Sequence, residues 1–203
     1  MMNDILQDFI SHGELICYMD DILIHSEDLT TLHCHQLFLK PEKCKFDWKE
    51  IDYLGLVISH GHIGMDPVRV QGVTEWLVPR RLKEVQSFLG FVNFYQRFIK
   101  GYSDIARPLH ALTQKSQTWS WGLTHQHAFE TLKTAITSAP VLTFPSDHGK
   151  SCLQCDASNF TTGAVLSQHQ DDGTLHPIAF MSKAFSEVEQ NYQVHDKEML
   201  AII

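Results

Sequence analysis

Residues 15–24 read LICYMDDILI, in which two adjacent carboxylates, Asp20 and Asp21, stand between two apolar runs rich in β-forming residues. Two short β-prone runs separated by a polar pair predict a β-hairpin whose tip holds negative charge close to solvent. Mg²⁺ binds carboxylate oxygens in such positions and uses them together with substrate phosphates. An acidic turn with no chemical role has the same composition, because Asp is a common turn former. The pattern alone therefore leaves open a metal site for phosphoryl transfer and a plain turn.

Further motifs follow this hairpin in a fixed order. They are LFLKPEKCKF at 37–46, IDYLGLVISHGHIGMDPVRV at 51–70 and LKEVQSFLGFVNFYQRFIKGYSDIARPLHALT at 82–113. Together with CYMDDILIHS at 17–26, they resemble the reverse transcriptase of long-terminal-repeat retrotransposons of the Ty3/gypsy type. Residues 138–168 and 176–203 resemble the start of the RNase H domain that follows the polymerase in those polyproteins.

The resemblance implies an α+β fold with a helical middle between two β-rich ends. Residues 1–64 are expected to form part of the polymerase palm, with the YMDD hairpin and a primer-grip hairpin. Residues 65–115 would be a helical thumb, 116–148 a connection, and 149–203 the start of an RNase H-like mixed sheet with its helix.

The resemblance also implies a polymerase site with RNA template, DNA primer and deoxynucleoside triphosphates as partners. Asp20 and Asp21 would hold Mg²⁺ or Mn²⁺, with Tyr18 and Met19 beside the nucleic acid. Tyr53, Leu54 and Gly55 would form the primer grip, where a glycine lets the backbone approach the primer end. A glycine at a bulge or strand edge is the structural alternative for Gly55.

A second acidic pair is expected in the RNase H-like part, which acts on the RNA–DNA hybrid. Asp156 ends a predicted strand over 151–156, and Glu198 lies in a predicted C-terminal helix. Strand and helix pack together in an RNase H-like fold, so the resemblance implies that both carboxylates bind a divalent metal.

Both sites are expected to be incomplete in this chain. The resembled polymerases use a third aspartate on a strand upstream of the hairpin, and Asp4 and Asp8 lie in a stretch that reads as helix. Their nucleases use two further carboxylates from later segments, and the helix after the hairpin looks shortened. Because metal-assisted transfer needs a complete set of ligands, we expect little or no catalysis from the isolated chain.

Charge indicates where nucleic acid would bind. The formal net charge of −8 argues against a protein that coats nucleic acid through bulk electrostatics. The stretch between residues 69 and 100 is locally basic, and Lys83, Arg97 and Lys100 are expected to contact backbone phosphates.

The cysteines and the apolar runs indicate where in the cell the protein is expected. Five cysteines at irregular spacing predict reduced thiols in an intracellular protein, cytoplasmic or nuclear, or a virus-like particle for the parent element. Cys152 and Cys155 are three apart on a predicted strand and face opposite sides, which opposes a paired metal or redox role. No apolar run is long enough to span a membrane, so no membrane partner is expected.

Local signals add boundaries. Asp66 and Pro67 predict a helix start, and a second helix from Leu82 is expected to end at Gly101. Its aromatic residues are predicted to be core, although Tyr95 or Phe94 at an edge would touch sugar or base. A second hairpin is expected with Phe46 and Trp48 in one arm and residues 53–58 in the other. The capping box of Ser186 and Glu189 predicts the start of the C-terminal helix.

Two other classes stay open. The chain could be a non-catalytic nucleic-acid-binding remnant, whose affinity would fall steeply with salt. It could also be a decayed open reading frame with no selected fold, which cooperative unfolding would contradict.

Overall fold

The computed structural model describes residues 11, 15–18, 21–24, 42, 45, 48–115, 117–146, 148–170 and 172–202. The chain divides into two compact units, residues 1–49 and 50–203. In the first unit, β1 (Leu15–Tyr18) pairs antiparallel with β2 (Asp21–Ile24), and Tyr18 lies opposite Asp21. The hairpin predicted from the LICYMDDILI pattern is thus confirmed as a strand pair, whereas Met19 and Asp20 lie outside the described residues.

The second unit begins with a β-meander. The strands β3 (Glu50–Tyr53), β4 (Leu56–Ser59) and β5 (His62–Met65) pair antiparallel in sequence order, and β6 (Leu142–Thr143) joins β5 at the edge. The hairpin expected around Trp48 is placed wrongly by the sequence, because its turn lies at residues 54 and 55. Trp48 stands outside the strands with 62% of its surface exposed, and Phe46 is not described.

Four helices form the middle of this unit: α1 (Pro67–Thr74), α2 (Leu82–Phe94), α3 (Tyr102–Leu112) and α4 (Leu123–Thr137). The predicted start of α1 is confirmed, since the Asp66 carboxylate accepts from the Val68 N–H at 2.8 Å and Pro67 needs no partner for a missing N–H. The apolar stripes of the helices meet in one core around Phe88, Leu109, Phe129 and Leu132.

The end of the second helix differs from the prediction. The α-helix stops at Phe94, a 3₁₀ turn covers Gln96–Phe98, and Gly101, with φ of +68°, precedes α3 rather than closing α2. This change of path carries Tyr95 and Phe98 into a second buried cluster with Ile63 of β5 and Leu142 of β6. Packing against the sheet therefore overrides the helical periodicity.

A three-stranded sheet follows, made of β7 (Ser151–Ala157), β8 (Thr161–His169) and β9 (Leu175–Ala184). The strand predicted over 151–156 is confirmed, since β7 covers Ser151–Ala157. All described pairings in this sheet are antiparallel, so the expected mixed sheet is not what these residues form. Phe180 of β9 packs against the second cluster, which joins this sheet to the helical middle.

The C-terminal helix starts later than the capping box predicts. Ser186 and Glu189 do form the reciprocal bonds, at 2.6 and 3.3 Å, but the box opens a 3₁₀ turn, Glu189–Asn191. Tyr192 and Gln193 are extended, with ψ near +155°, and α5 (Val194–Leu200) begins after them. Within the described residues, no helix is both long and apolar enough for a bilayer.

Candidate functional site

The YMDD hairpin keeps one acidic side chain within the described residues. Asp21 is the first residue of β2, directly opposite Tyr18, and its side chain is exposed. The pairing runs from Leu15 opposite Ile24 to Tyr18 opposite Asp21. A carboxylate is the ligand type that Mg²⁺ and Ca²⁺ use in proteins.

The predicted primer-grip residues form a tight turn. Tyr53 ends β3, Leu56 begins β4 opposite it, and the two residues between have φ of +54° and +78°. Positive φ at both central positions is the geometry of a type I′ hairpin turn. Leu54 is the one non-glycine residue with positive φ in the part of the chain that the structure describes. Such a conformation costs a leucine on the order of 1 kcal/mol or more, so the surroundings must hold it.

Two donors hold this Leu54–Gly55 turn. The Gly55 carbonyl accepts from the Tyr95 hydroxyl at 3.0 Å and from the Asp66 N–H at 3.2 Å. A Cβ at position 55 would lie 2.8 Å from the Tyr95 hydroxyl oxygen, which leaves room only for glycine. Both structural reasons for a glycine, positive φ and close approach, therefore apply at Gly55, and neither is the bulge or strand edge considered from sequence.

Tyr95 and Phe94, both considered as possible contacts to sugar or base, have different environments. Tyr95 is buried at 3% exposure, whereas Phe94 is 53% exposed and meets the Tyr95 ring edge-on at 4.9 Å. Burial raises the pKa of Tyr95 above its usual value, so its hydroxyl keeps the proton that it donates to Gly55. Only Phe94 of the two presents a free ring face at the surface.

The basic residues expected to meet phosphates lie on the helical middle. Lys83, Arg97 and Lys100 are exposed, and none of them forms an ion pair with another described residue. Arg81 is different, because its Nε lies 2.6 Å from Oε1 of Glu84. The Arg80 N–H and the Arg81 side chain both donate to Glu84 and lower the pKa of its carboxyl. The local excess of positive charge is therefore smaller than a residue count indicates.

The acidic pair of the RNase H-like part, Asp156 and Glu198, lies on neighbouring elements. Asp156 is near the end of β7, Glu198 is inside α5, and α5 lies against β7 and β8. Both side chains are exposed. Among the residues that the structure describes, no group of three or more His, Cys, Asp or Glu side chains could hold a metal ion.

A buried lysine lies next to Glu198. Lys197 is 6% exposed, and its Nζ donates to the carbonyl of Asn159 at 3.3 Å. Asn159 belongs to the loop between β7 and β8, three residues beyond Asp156. This contact ties the helix that carries one carboxylate to the loop beside the other, and sequence reasoning missed it because lysine reads as a surface residue.

Further contacts join the three-stranded sheet to α3. The Thr161 hydroxyl donates to the Asp104 carboxylate at 2.7 Å, and the Ser103 N–H donates to the Ser182 hydroxyl at 3.1 Å. The Arg107 guanidinium lies 4.0 Å from the centre of the Phe160 ring. The hydrogen-bonded partners are 57 and 79 positions apart, so no local pattern could have predicted them.

The C-terminal part of the chain matches a known family. Residues 121–203 match the family model described as an RNase H-like domain found in reverse transcriptase. The matched segment begins before α4 and includes the three-stranded sheet and α5.

The chain is also similar to curated polyproteins over nearly its whole length. The chain is 36% identical over 202 residues to the Tf2-3 transposon polyprotein of Schizosaccharomyces pombe, which covers 94% of this chain and 15% of that polyprotein. It is 35% identical over 205 residues to the Tf2-7 polyprotein of the same organism. This alignment covers 96% of this chain and 15% of that polyprotein. The resemblance to Ty3/gypsy-type retrotransposon polyproteins is thereby confirmed. The chain spans about 15% of the length of these relatives.

Solved structures agree on the fold. The foamy viral protease-reverse transcriptase dRH in complex with double-stranded DNA matches with a TM-score of 0.78 and 23% identity, over 99% of this chain and 37% of that one. The foamy viral protease-reverse transcriptase in complex with an RNA/DNA hybrid matches with a TM-score of 0.78 and 21% identity. This match covers 99% of this chain and 29% of that one. At this identity the likeness establishes the arrangement of the backbone.

Proposed function

We propose that the chain is a segment of an RNA-directed DNA polymerase with an attached RNase H-like domain, from a retrotransposon polyprotein. Residues 1–64 are then the end of the palm, 65–115 the thumb, 116–148 the connection and 149–203 the start of the RNase H-like domain. The observation that carries the proposal is the hairpin register, in which Asp21 of the YMDD motif begins β2 opposite Tyr18, in a chain 36% identical to a transposon polyprotein.

Mg²⁺ or Mn²⁺ suits the donors at the polymerase site. The exposed carboxylate of Asp21 and its neighbour Asp20 in sequence supply oxygen ligands, which hard divalent cations prefer. Such ions would promote attack of a primer 3′-hydroxyl on the α-phosphate of a deoxynucleoside triphosphate, with pyrophosphate as the leaving group, and would neutralise the developing charge. Tyr18 and Met19 directly precede the two aspartates in sequence and would lie beside the nucleic acid. Tyr53, Leu54 and Gly55 would contact the primer.

For the isolated chain we expect little or no nucleotide incorporation or hybrid cleavage. Two carboxylates hold a catalytic ion poorly by themselves, and no larger ligand group exists among the described residues. Primer extension and hybrid hydrolysis in Mg²⁺ or Mn²⁺ test this, with an Asp20→Asn, Asp21→Asn variant and an Asp156→Asn, Glu198→Gln variant. Extension that the first variant abolishes would contradict the expected inactivity and support the polymerase site.

Nucleic-acid binding is the part of the function that the isolated chain should retain. Lys83, Arg97 and Lys100 are exposed and available to phosphates, and Phe94 offers an exposed ring near them in sequence. The fold is that of an enzyme solved with double-stranded DNA and with an RNA/DNA hybrid. We therefore propose an RNA–DNA hybrid of template and primer as the partner.

A salt titration of hybrid binding tests this interface. Binding is measured by fluorescence anisotropy for the chain, for Lys83→Gln with Lys100→Gln, and for the control Lys150→Gln with Lys183→Gln. Each lost phosphate contact reduces the slope of log affinity against log salt by about 1. The first pair should therefore lower the slope by about 2, while the charge-matched control leaves it unchanged. Equal effects of both pairs would show general electrostatics rather than a thumb contact.

A non-catalytic binding module is the second candidate function. The exposed lysines and arginine favour it, because binding phosphates needs no metal. Salt-dependent hybrid binding without extension or cleavage is the result common to this candidate and to an incomplete enzyme. If a longer polypeptide extends a primer and this activity depends on Asp21, the chain is a segment of an enzyme rather than a non-catalytic binding module.

A further inference from the structure

We propose that Tyr95 is a positioning residue, whose hydroxyl fixes the Leu54–Gly55 turn so that the turn can receive the recessed 3′ end of a DNA primer. This inference rests on the proposed function, because it assigns a nucleic-acid end to the turn. It concerns a residue that does not itself touch the nucleic acid.

Hydrogen bonds restrain the Leu54–Gly55 turn fully at one carbonyl group. The Gly55 carbonyl has two lone pairs, and the Tyr95 hydroxyl and the Asp66 N–H occupy both, at 3.0 and 3.2 Å. The peptide that follows Gly55 therefore has a fixed orientation at the end of the turn. Leu54 keeps a φ of +54°, a strained conformation that persists only where its surroundings determine it. Strain of this kind concentrates at sites where a ligand must meet a preformed backbone.

Tyr95 lies in the chain between α2 and two exposed basic residues. It follows α2 directly, and its ring packs against Phe91 and Phe98 at 5.3 and 6.4 Å between centroids. Exposed Arg97 and Lys100 come two and five residues later in the sequence. The hydroxyl reaches a turn 40 residues away. One residue thus links the segment proposed to hold backbone phosphates with the turn proposed to hold the strand end.

The guanidinium of Arg69 lies beside the Leu54–Gly55 turn. The position that a Cβ of residue 55 would take lies 3.7 Å from Nε of Arg69, whose side chain is exposed. A guanidinium at this place can bind a terminal phosphodiester, since arginine matches phosphate oxygens well. A preformed backbone turn with a neighbouring arginine fits a nucleic-acid end better than it fits the middle of a duplex.

The chain contains its own control in Tyr102. Tyr102 is also 3% exposed, but its buried hydroxyl has no hydrogen-bond partner among the described residues. Tyr95→Phe and Tyr102→Phe therefore remove the same atom from equally buried rings, and only the first loses a contact to the turn. Any effect specific to Tyr95→Phe comes from the bond to Gly55.

The test is photo-crosslinking of the 203-residue chain to an RNA–DNA hybrid with a recessed primer. The primer carries 4-thiothymidine either at its 3′ end or ten nucleotides inside, and crosslinks are mapped by mass spectrometry at a temperature where circular dichroism shows each variant folded. Tyr95→Phe should lower the 3′-end yield at residues 53–55 on the order of 3- to 10-fold, as expected for one lost hydrogen bond. The internal yield should not change, and Tyr102→Phe should change neither yield.

Three results would overturn the positioning role in distinguishable ways. An unchanged 3′-end yield in Tyr95→Phe would remove the role of the hydroxyl and leave the proposed function intact. An equal fall of both yields would show that Tyr95 acts only through overall stability. Absence of hybrid binding by the unmodified chain would overturn the proposed function and the positioning role together.

Discussion

The Leu54–Gly55 turn and the acidic pair, Asp156 and Glu198, differ in what holds them in place. The turn is fixed from inside the molecule, by a buried tyrosine hydroxyl and a backbone N–H that bind one carbonyl. The acidic pair is exposed, and neither carboxylate accepts a hydrogen bond from a described residue. A site that presents backbone to a ligand can be built by folding alone, whereas a site that presents negative charge needs an external counter-charge.

This difference has a physical origin. Carboxylates brought close together repel each other, and burying them without a cation carries a large cost. Asp156 and Glu198 are therefore kept in water on neighbouring elements, and the buried Lys197 beside Glu198 points to the Asn159 carbonyl. The turn has no charge to neutralise, so its strain can be balanced by hydrogen bonds and packing.

The largest effect in this comparison is expected for Gly55→Ala. The added Cβ would lie 2.8 Å from the Tyr95 hydroxyl oxygen, and the alanine would have to adopt a φ of +78°. Strain and overpacking together should lower the free energy of unfolding by about 2–4 kcal/mol. Thermal unfolding should show a midpoint lower by roughly 5–15 °C.

Gly61→Ala is the matched control for this substitution. Gly61 has nearly the same φ, +74°, but nothing lies within 4 Å of its added Cβ. It should lose only about 1 kcal/mol for the backbone conformation. Equal losses in both variants would mean that Tyr95 gives way easily and does not restrain the turn.

Thr161→Val tests how the sheet that carries Asp156 is attached to the helices. The Thr161 hydroxyl is buried and donates to the Asp104 carboxylate at 2.7 Å, so its loss should cost about 1–2 kcal/mol. Thr162→Val is the control, because Thr162 is as buried but its hydroxyl makes only a 3.4 Å bond to the Asp156 carbonyl. Urea unfolding should separate the two variants. A greater loss in Thr162→Val would contradict the assigned attachment.

Coupling between Gly55 and Tyr95 gives the next smaller effect. In a Tyr95→Phe background the hydroxyl that the new Cβ would meet is gone, so Gly55→Ala should cost less than in the unmodified chain. A double-mutant cycle by urea unfolding should give a coupling of about 1 kcal/mol. The same cycle with Tyr102→Phe in place of Tyr95→Phe should give none, and coupling there would indicate an indirect effect through the core.

Local patterns predicted much of this molecule because their causes are local. The LICYMDDILI hairpin, the Asp66–Pro67 helix start and the strands around Asp156 depend on neighbouring residues and appear as expected. The Ser186–Glu189 capping box also forms, since its bonds span three residues. Its presence did not specify where the C-terminal α-helix would begin, which is at Val194 after a 3₁₀ turn.

Features set by distant contacts could not be predicted. Nothing in a leucine indicates positive φ at position 54, because the cause is the docking of Tyr95 from 40 residues away. The second hairpin was therefore placed around Trp48 instead of at this turn. The end of α2 at Phe94 has a similar cause, since Tyr95 and Phe98 leave the helical path to pack against the sheet.

The acidic pair should tolerate neutralisation with little change in stability. Asp156→Asn and Glu198→Gln alter exposed side chains, and each should change the free energy of unfolding by less than about 0.5 kcal/mol. Gly55→Ala, measured in the same urea titrations, is the reference for a position that hydrogen bonds and packing restrain. A loss above about 1 kcal/mol in either carboxylate variant would show that folding itself holds the pair, and the contrast with the turn would fail.

The smallest effect separates exposure from hydrogen bonding, at Asp172 in the turn between β8 and β9. Asp172 is exposed like the acidic pair, but His176 and then the Thr174 N–H donate to it and lower the pKa of its carboxyl to about 2. Because the folded pKa lies below the unfolded value, this carboxylate stabilises the fold above about pH 4, and the contribution is lost as pH falls towards 2. The midpoint advantage of the unmodified chain over Asp172→Asn should thus shrink over that window, and high salt should reduce it since the turn is in water. A midpoint difference that stays constant between pH 6 and 2 would show that these hydrogen bonds do not stabilise the turn.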